Sequence, residues 1–191
     1  MISPFEYVTV LISIILGLGI TQIVTGIADI IHHWKRVKLY WPHTLWMVVT
    51  FFLHIQEWWN VYDLRTLDKW RLPTFLFISL YPINLFVLAR LLFPAHNSDE
   101  AELDYKEFYL MNYKKIFAVI VCFAFLSAIE NLTLAGRGVE GVAIQIAIIF
   151  ILGFTALRRQ VSELVHKAIV LLWLAVIVIS VIVNWNSWLI T

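Results

Sequence analysis

The chain alternates long apolar runs with short polar breaks, and this spacing predicts membrane-spanning helices. Each run lasts about twenty residues, the length of helix that crosses ~30 Å of hydrocarbon at 1.5 Å per residue. Proline, glycine and clustered charges mark the breaks. The predicted helices cover about 5–31, 42–62, 73–93, 116–135, 139–157 and 168–188. We therefore predict an all-α fold, a polytopic membrane helical bundle of about six transmembrane helices, in a single domain over residues 1–191.

The longest break, about 98–115, predicts an amphipathic connector at the membrane surface. Acidic residues come first in it, and Lys114 and Lys115 come last, an order that suits the dipole of a short helix. Tyr105 and Tyr109 are then available to lie at the headgroup level. The same pattern is consistent with a surface at residues 95–115 that docks a soluble or membrane protein partner, so both interpretations stay open.

The distribution of basic residues predicts the orientation of the bundle. The connections between helices 1–2, 3–4 and 5–6 hold ten Lys and Arg residues, and the opposite side holds four. Because basic loops face the cytoplasm, the connector is cytoplasmic and both termini are outside. The composition agrees with a membrane protein, since 61% of the residues are hydrophobic and only 14% are charged. With so apolar a composition, membrane lipid is expected around the chain. The net charge of +1 provides no basic field, so nucleic acid is not an expected partner.

Small and polar residues recur at every fourth position along helix 1. The stripe consists of Thr9, Ser13, Gly17, Thr21, Thr25 and Asp29, with Gln22 beside it. Positions four apart lie on one face of a helix, and small side chains let two helices approach closely. The stripe either packs against another helix or lines a solute path, to which Asn184 of helix 6 would also belong.

Two carboxylates and a histidine are predicted at one depth of the bilayer. Glu57 and Glu130 each lie about 22 Å from the inner end of their helices, with His54 and Asn131 close by. Polar groups are costly in lipid, so we expect them to converge inside the bundle. Three interpretations stay open: a buried cluster that fixes helix register, an ion or proton site on a transport path, and a metal site of His54, Glu57 and Glu130.

The sequence lacks the common motifs of enzymes. It has no Gly-x-Ser-x-Gly stretch, and its single cysteine, Cys122, excludes an intrachain disulfide. A membrane haem held by two histidines needs both at matching depth, and only His54 is predicted to be deep. We therefore expect neither an enzyme nor a cofactor.

Three stretches carry a resemblance to a family. They are Ser3-Pro4-Phe5-Glu6-Tyr7 leading to residues 13–21, Trp58-Trp59 at the end of helix 2, and Leu91-Leu92-Phe93-Pro94 before Phe108-Tyr109. Through them the first two thirds of the chain resemble a family of small bacterial multi-pass inner-membrane proteins with no assigned function. The resemblance implies the bacterial cytoplasmic membrane and supplies no catalytic residues.

Together these features favour a small channel or transporter for protons or cations. Glu57, Glu130, His54 and Asn131 would bind the ion. A homo-oligomer is expected, because a bundle of 22.3 kDa seldom encloses a full path alone. The alternative is a non-transporting membrane scaffold or sensor subunit that docks a partner through the 95–115 loop.

Overall fold

The computed structural model describes residues 3–66, 70–94, 103–133, 139–183 and 185. Within these residues the chain forms six α-helices and two very short strands. The helices are α1 Pro4–His32, α2 Trp41–Val61, α3 Leu72–Leu91, α4 Tyr105–Thr133, α5 Ala143–Leu157 and α6 Glu163–Val183. The strands are β1 Val37–Lys38 and β2 Leu103–Asp104. The fold is all-α, as the apolar runs predict.

Local sequence signals set where the helices begin. The Ser3 hydroxyl accepts a hydrogen bond from the Glu6 backbone N–H at 3.1 Å, and the Glu6 carboxylate accepts one from the Ser3 N–H at 2.7 Å. This reciprocal pair, a capping box, satisfies two backbone donors at the start of α1. At the start of α4, Asp104 Oδ1 accepts from the Lys106 N–H at 2.7 Å. Helices α1, α2 and α3 also carry a proline in the first turn, where its missing N–H costs no hydrogen bond.

Contacts between the connections fix which helix ends lie together. Strands β1 and β2 pair in parallel, so the α1–α2 and α3–α4 connections meet at one end of the bundle. Lys106, at the start of α4, binds Glu163, at the start of α6, at 2.7 Å. We call this the strand end. We call the opposite end, where α2 and α4 finish with Glu57 and Glu130, the carboxylate end. Successive helices therefore run in opposite directions.

Helix α2 is the centre of the bundle. It contacts α1, α3, α4 and α6, whereas α1 packs on α3 and α2, and α5 packs on α4. Trp46 and Met47 of α2 are buried, together with Leu85 of α3 and Phe117 of α4. Lipid is as apolar as these side chains, so close packing rather than removal from water stabilises such contacts in a membrane.

Helix α4 starts at Tyr105, within the segment 98–115 that the sequence predicts as a separate surface connector. Tyr105, Tyr109 and Tyr113 lie four residues apart on one face, and all three are buried in the bundle. This buried tyrosine face continues the apolar face of the helix and makes the segment part of α4. The first part of the predicted connector, 98–102, lies outside the described residues.

Four helices, α1, α3, α4 and α6, are long and apolar enough to cross a membrane. Large apolar side chains such as Ile14, Phe125 and Ile182 are exposed on them, as expected of surfaces that face lipid. Helix α2 is of similar length but carries polar residues, and α5 has 15 residues, preceded by a 3₁₀ turn at Val139–Val142. The four long apolar helices suggest a membrane protein.

Candidate ion-binding site

A cavity of about 230 Å³ lies at the carboxylate end, among α2, α3, α4, α5 and α6. The polar side chains that line it are Gln56, Glu57, Asn60, Tyr81, Ser127, Glu130, Gln145 and Ser180. The rest of the lining is apolar and aromatic. Small-ligand sites commonly have this composition, because apolar walls exclude water while a few polar groups fix the ligand.

Two carboxylates from different helices share this cavity. Glu57 of α2 and Glu130 of α4 both line it. Tyr81, from α3, lines the same cavity. Two like charges in surroundings of low dielectric repel strongly, and a proton or a cation held between them removes that repulsion. The geometry therefore favours the binding of a positive ion.

Neutral oxygen atoms complete the polar lining. The Gln145 side-chain amide donates a hydrogen bond to Ser127 Oγ at 3.2 Å. The Gln145 Oε1 and Tyr81 Oη atoms are buried and have no hydrogen-bond partner among the described residues. Carboxylate, amide and hydroxyl oxygens are the ligands that hard cations take in proteins. These two oxygen atoms are therefore available to coordinate a bound ion.

The predicted ion-binding set divides into two groups. Glu57 and Glu130 meet at the cavity, whereas His54 and Asn131 are not among its lining residues. The His54 Nδ1–H donates to the Thr50 carbonyl at 2.7 Å, and its ring packs against Gly19 of α1. His54 and Glu57 are three positions apart, about 60° around the helix, and that angle separates the α1 side of α2 from the cavity side.

The metal site predicted from His54, Glu57 and Glu130 is not formed. No group of three or more His, Cys, Asp or Glu side chains suited to a metal ion occurs in the part of the chain that the structure describes. His54 faces α1, so only two of the three predicted ligands remain near each other.

An aromatic layer closes the cavity towards the strand end. Trp173 of α6 and Phe123 of α4 line the cavity. Behind them, the ring of Trp46 lies 5.7 Å from that of Trp173 and 5.9 Å from that of Phe117, measured between centroids. Trp46 and Phe117 are fully buried. An ion in the cavity would therefore reach the strand end only if this layer moved.

The small-residue stripe of α1 does not line the cavity. Its members Gly17, Thr21, Thr25 and Asp29 are exposed, and Ser13 and Gln22 are half-buried. The face that packs on α2 and α3 is instead Val8, Ile12, Leu16, Gly19, Ile23, Gly26 and Ile30. The remaining predicted pathway residue, Asn184, lies outside the described residues.

A second polar cluster lies at the strand end, where the sequence predicted none. His43 of α2 and His166 of α6 are both fully buried, and Tyr109 of α4 lies between them. The Tyr109 hydroxyl is 3.1 Å from His166 Nδ1, and the Tyr109 ring centroid is 5.7 Å from that of His43. The His43 Nε2–H donates to the Leu92 carbonyl at 2.9 Å. Both histidines lie in the first turn of their helices, so this cluster is buried in the bundle at its strand end and not midway along it.

Charged groups surround this cluster at the bundle surface. Glu163 is held by Lys106 and by Lys167, each at 2.7 Å. Burial, aided by the negative charge of Glu163, raises the pKa of Tyr40 in the α1–α2 connection. The sequence signal for the cluster is the four-residue spacing of Tyr105, Tyr109 and Tyr113. This spacing is equally consistent with a buried face of α4 and with a helix face at the membrane surface.

Comparison of the chain with protein-family models, curated proteins and solved structures finds no match.

Proposed function

We propose that the protein is a small integral membrane transporter or channel that binds a proton or another cation between Glu57 and Glu130. The observation that carries this proposal is the presence of two carboxylates, from α2 and α4, in one cavity within a bundle of apolar helices. A pair of like charges inside a membrane is expensive unless it has a ligand, so such pairs in membrane segments are associated with ion pathways.

In this proposal all six helices cross the membrane. Helix α2 has 21 residues, or about 32 Å, and turns His43, Thr50 and His54 inward, away from lipid. Helix α5 and the 3₁₀ turn before it together extend about 30 Å. The basic residues of the strand end support a cytoplasmic location for it and an external location for both termini.

The cavity is then an ion site in a closed state of the pathway. Trp173 lines the cavity, and Trp46 packs behind it, so these two rings block the way to the strand end. Transport through the protomer would need these two rings to rearrange. Small rotations of packed helices could produce that rearrangement. Assembly as a homo-oligomer in a bacterial cytoplasmic membrane belongs to the same proposal.

The docking alternative receives less support. It assigned partner binding to the tyrosines of the 95–115 loop, but Tyr109 is fully buried and Tyr105 is almost so. Phe108 packs its ring on His43 with a centroid distance of 5.7 Å. Side chains that are committed to the bundle interior are not available to a soluble partner.

The double substitution Glu57→Gln with Glu130→Gln tests the ion site. Glutamine keeps the size and polarity of each side chain and removes the charge, so we expect proton or monovalent-cation flux to fall at least about tenfold while the helices stay folded. The measurement is flux into liposomes that contain purified protein, under imposed pH and cation gradients.

Two matched variants control this experiment. Glu107→Gln removes a carboxylate from an exposed position on α4, and Asn131→Ala changes the neighbour of Glu130 that does not line the cavity. Both should conduct like the wild type. Wild-type flux in the double mutant, or no flux from folded wild type under any gradient, would rule out the proposal.

A further inference from the structure

The strand-end cluster contains four buried polar atoms that have no hydrogen-bond partner among the described residues. They are Tyr40 Oη, His43 Nδ1, Trp46 Nε1 and His166 Nε2. Three of the side chains have rings within 6 Å of the Tyr109 ring, at 5.7 Å for Tyr40, 5.7 Å for His43 and 5.3 Å for His166. Buried polar groups are nearly always satisfied in folded proteins. Several unsatisfied atoms around one phenol point to a ligand that the cluster exchanges.

Hydrogen-bond chemistry identifies which nitrogen of each imidazole is free to bind a proton or a further hydrogen-bond partner. A carbonyl oxygen only accepts, so His43 Nε2 carries the proton of its bond to Leu92, and Nδ1 has a free lone pair. His166 uses Nδ1 for its bond with Tyr109, so its second nitrogen, Nε2, is the unpartnered one. Tyr109 both donates and accepts. The three side chains thus form a donor–acceptor series across the bundle from α6 through α4 to α2.

We propose that His166, Tyr109 and His43 form a proton relay at the strand end. This proposal rests on the proposed function and names the proton as the transported ion. A proton from water binds His166 Nε2 when a movement of the helix ends admits water to this buried atom. The proton on His166 Nδ1 then passes to Tyr109 Oη as the phenol proton passes to His43 Nδ1, across a side-chain rotation or one bridging water. One proton enters at His166 and one is carried by His43, while Tyr109 is neutral before and after.

The groups that face the relay favour entry at His166. Glu163, at the start of α6, supplies a negative charge near this histidine and is itself paired with Lys106 and Lys167. Other ionisable groups in ring contact with the cluster are Tyr40 from the α1–α2 connection and Tyr105 and Tyr113 from α4. The exposed Asp29 of α1 acts on Tyr105 through its charge. The carboxylate of Glu163 therefore marks the water-facing side of the relay.

The relay and the cavity lie on either side of the same aromatic layer. Trp46 packs on Phe117, whose ring centroid lies 6.0 Å from that of His166, and also on Trp173, which lines the cavity. A proton held by His43 would reach Glu57 and Glu130 only after this layer opened. The arrangement separates two proton sites by one gate, which is what alternating access requires.

Imidazole nitrogen NMR of the whole protein in lipid tests the relay directly. In the wild type, the signals of His43 and His166 should both change with pH across one shared transition, because the two imidazoles, linked through one phenol, share one additional proton. In Tyr109→Phe, His166 should still respond and His43 should lose its response. Tyr113→Phe is the matched control: its ring lies 4.6 Å from the His166 ring, but no hydrogen bond joins them, so both responses should persist.

The relay is refuted if neither histidine responds to pH in the folded wild type, or if His43 responds unchanged in Tyr109→Phe. His166→Gln provides a second variant that blocks entry and should also silence His43. Either variant yields a result as long as its circular dichroism matches that of the wild type.

Flux in liposomes separates the failure of the relay from the failure of the proposed function. Tyr109→Phe should lower proton flux roughly tenfold. Wild-type flux in Tyr109→Phe, together with lost flux in the double glutamate mutant, would overturn the relay alone. Absence of flux in the wild type would overturn the ion-site proposal and, with it, the relay's place on a path.

Discussion

Single glycines set how closely α1 approaches the bundle. At Gly26 an added methyl group would overlap the Phe93 ring, and at Gly19 it would overlap the His54 ring. Gly17, in contrast, has open space where its side chain would be. The helix therefore contains two glycines that accept a ring from a neighbour, and one glycine, Gly17 of the small-residue stripe, that faces outward.

Gly26→Ala should destabilise the protein, and Gly17→Ala should not. The methyl at position 26 forces the buried Phe93 ring to move, and overpacking of this kind costs about 1–3 kcal/mol. The methyl at position 17 meets nothing and adds helix propensity worth up to about 1 kcal/mol. The measurement is the free energy of unfolding in detergent micelles. Equal stability of the two variants would mean that α1 does not pack on Phe93 through Gly26.

Depth along a helix is predictable from the sequence, but direction around the helix is less so. Counting residues from the helix ends brings Glu57 and Glu130 to one level, and both line one cavity. The same count brings His54 to that level, yet its ring turns to Gly19. The angle at which α1 and α4 approach α2 decides between the two sides, and it depends on packing that no local pattern encodes.

The start of α4 illustrates a limit of reading elements from hydropathy. Residues 105–115 include Lys106, Glu107, Lys114 and Lys115, and these charges lower the local hydropathy enough to suggest a separate surface segment. In the structure the charges lie on the outer face of α4, and the tyrosines lie on the inner face. An amphipathic turn at the end of a membrane helix and an amphipathic connector have the same periodicity, so only the packing partner separates them.

Asp104→Ala tests whether α4 begins at Tyr105. The Asp104 carboxylate accepts hydrogen bonds from the backbone N–H groups of Lys106 and Glu107, at 2.7 and 3.3 Å. Loss of such a cap costs about 0.5–2 kcal/mol, whereas Asn keeps the cap. We therefore expect faster amide exchange over the first turns of α4 in Asp104→Ala and wild-type exchange in Asp104→Asn. A helix that began near residue 116 would leave both variants unchanged.

At the scale of the whole molecule, the sequence predicts direction better than it predicts which helices cross lipid. Alternation of the six helices follows from short connections, and the pairing of β1 with β2 agrees with it. By length and composition, however, only α1, α3, α4 and α6 qualify as spans among the described helices. Helices α2 and α5 fall short for different reasons: α2 is polar because it forms the centre, and α5 is short.

Single cysteines at the connections decide whether α2 and α5 cross. In a Cys122→Ala background, Leu39→Cys precedes α2, Asp63→Cys follows it, and Ser162→Cys follows α5. With six spans and external termini, a maleimide that cannot cross membranes should label Asp63→Cys in intact spheroplasts and label the other two only after permeabilisation.

Labelling of Leu39→Cys and Asp63→Cys from one side would mean that α2 does not cross. Labelling of Asp63→Cys and Ser162→Cys from one side would exclude a crossing by α5, because α3 and α4 alone return the chain to where it started. If either helix failed to cross, the five-helix wall around Glu57 and Glu130 would no longer lie within lipid, and the physical reason for a buried ion site would be lost.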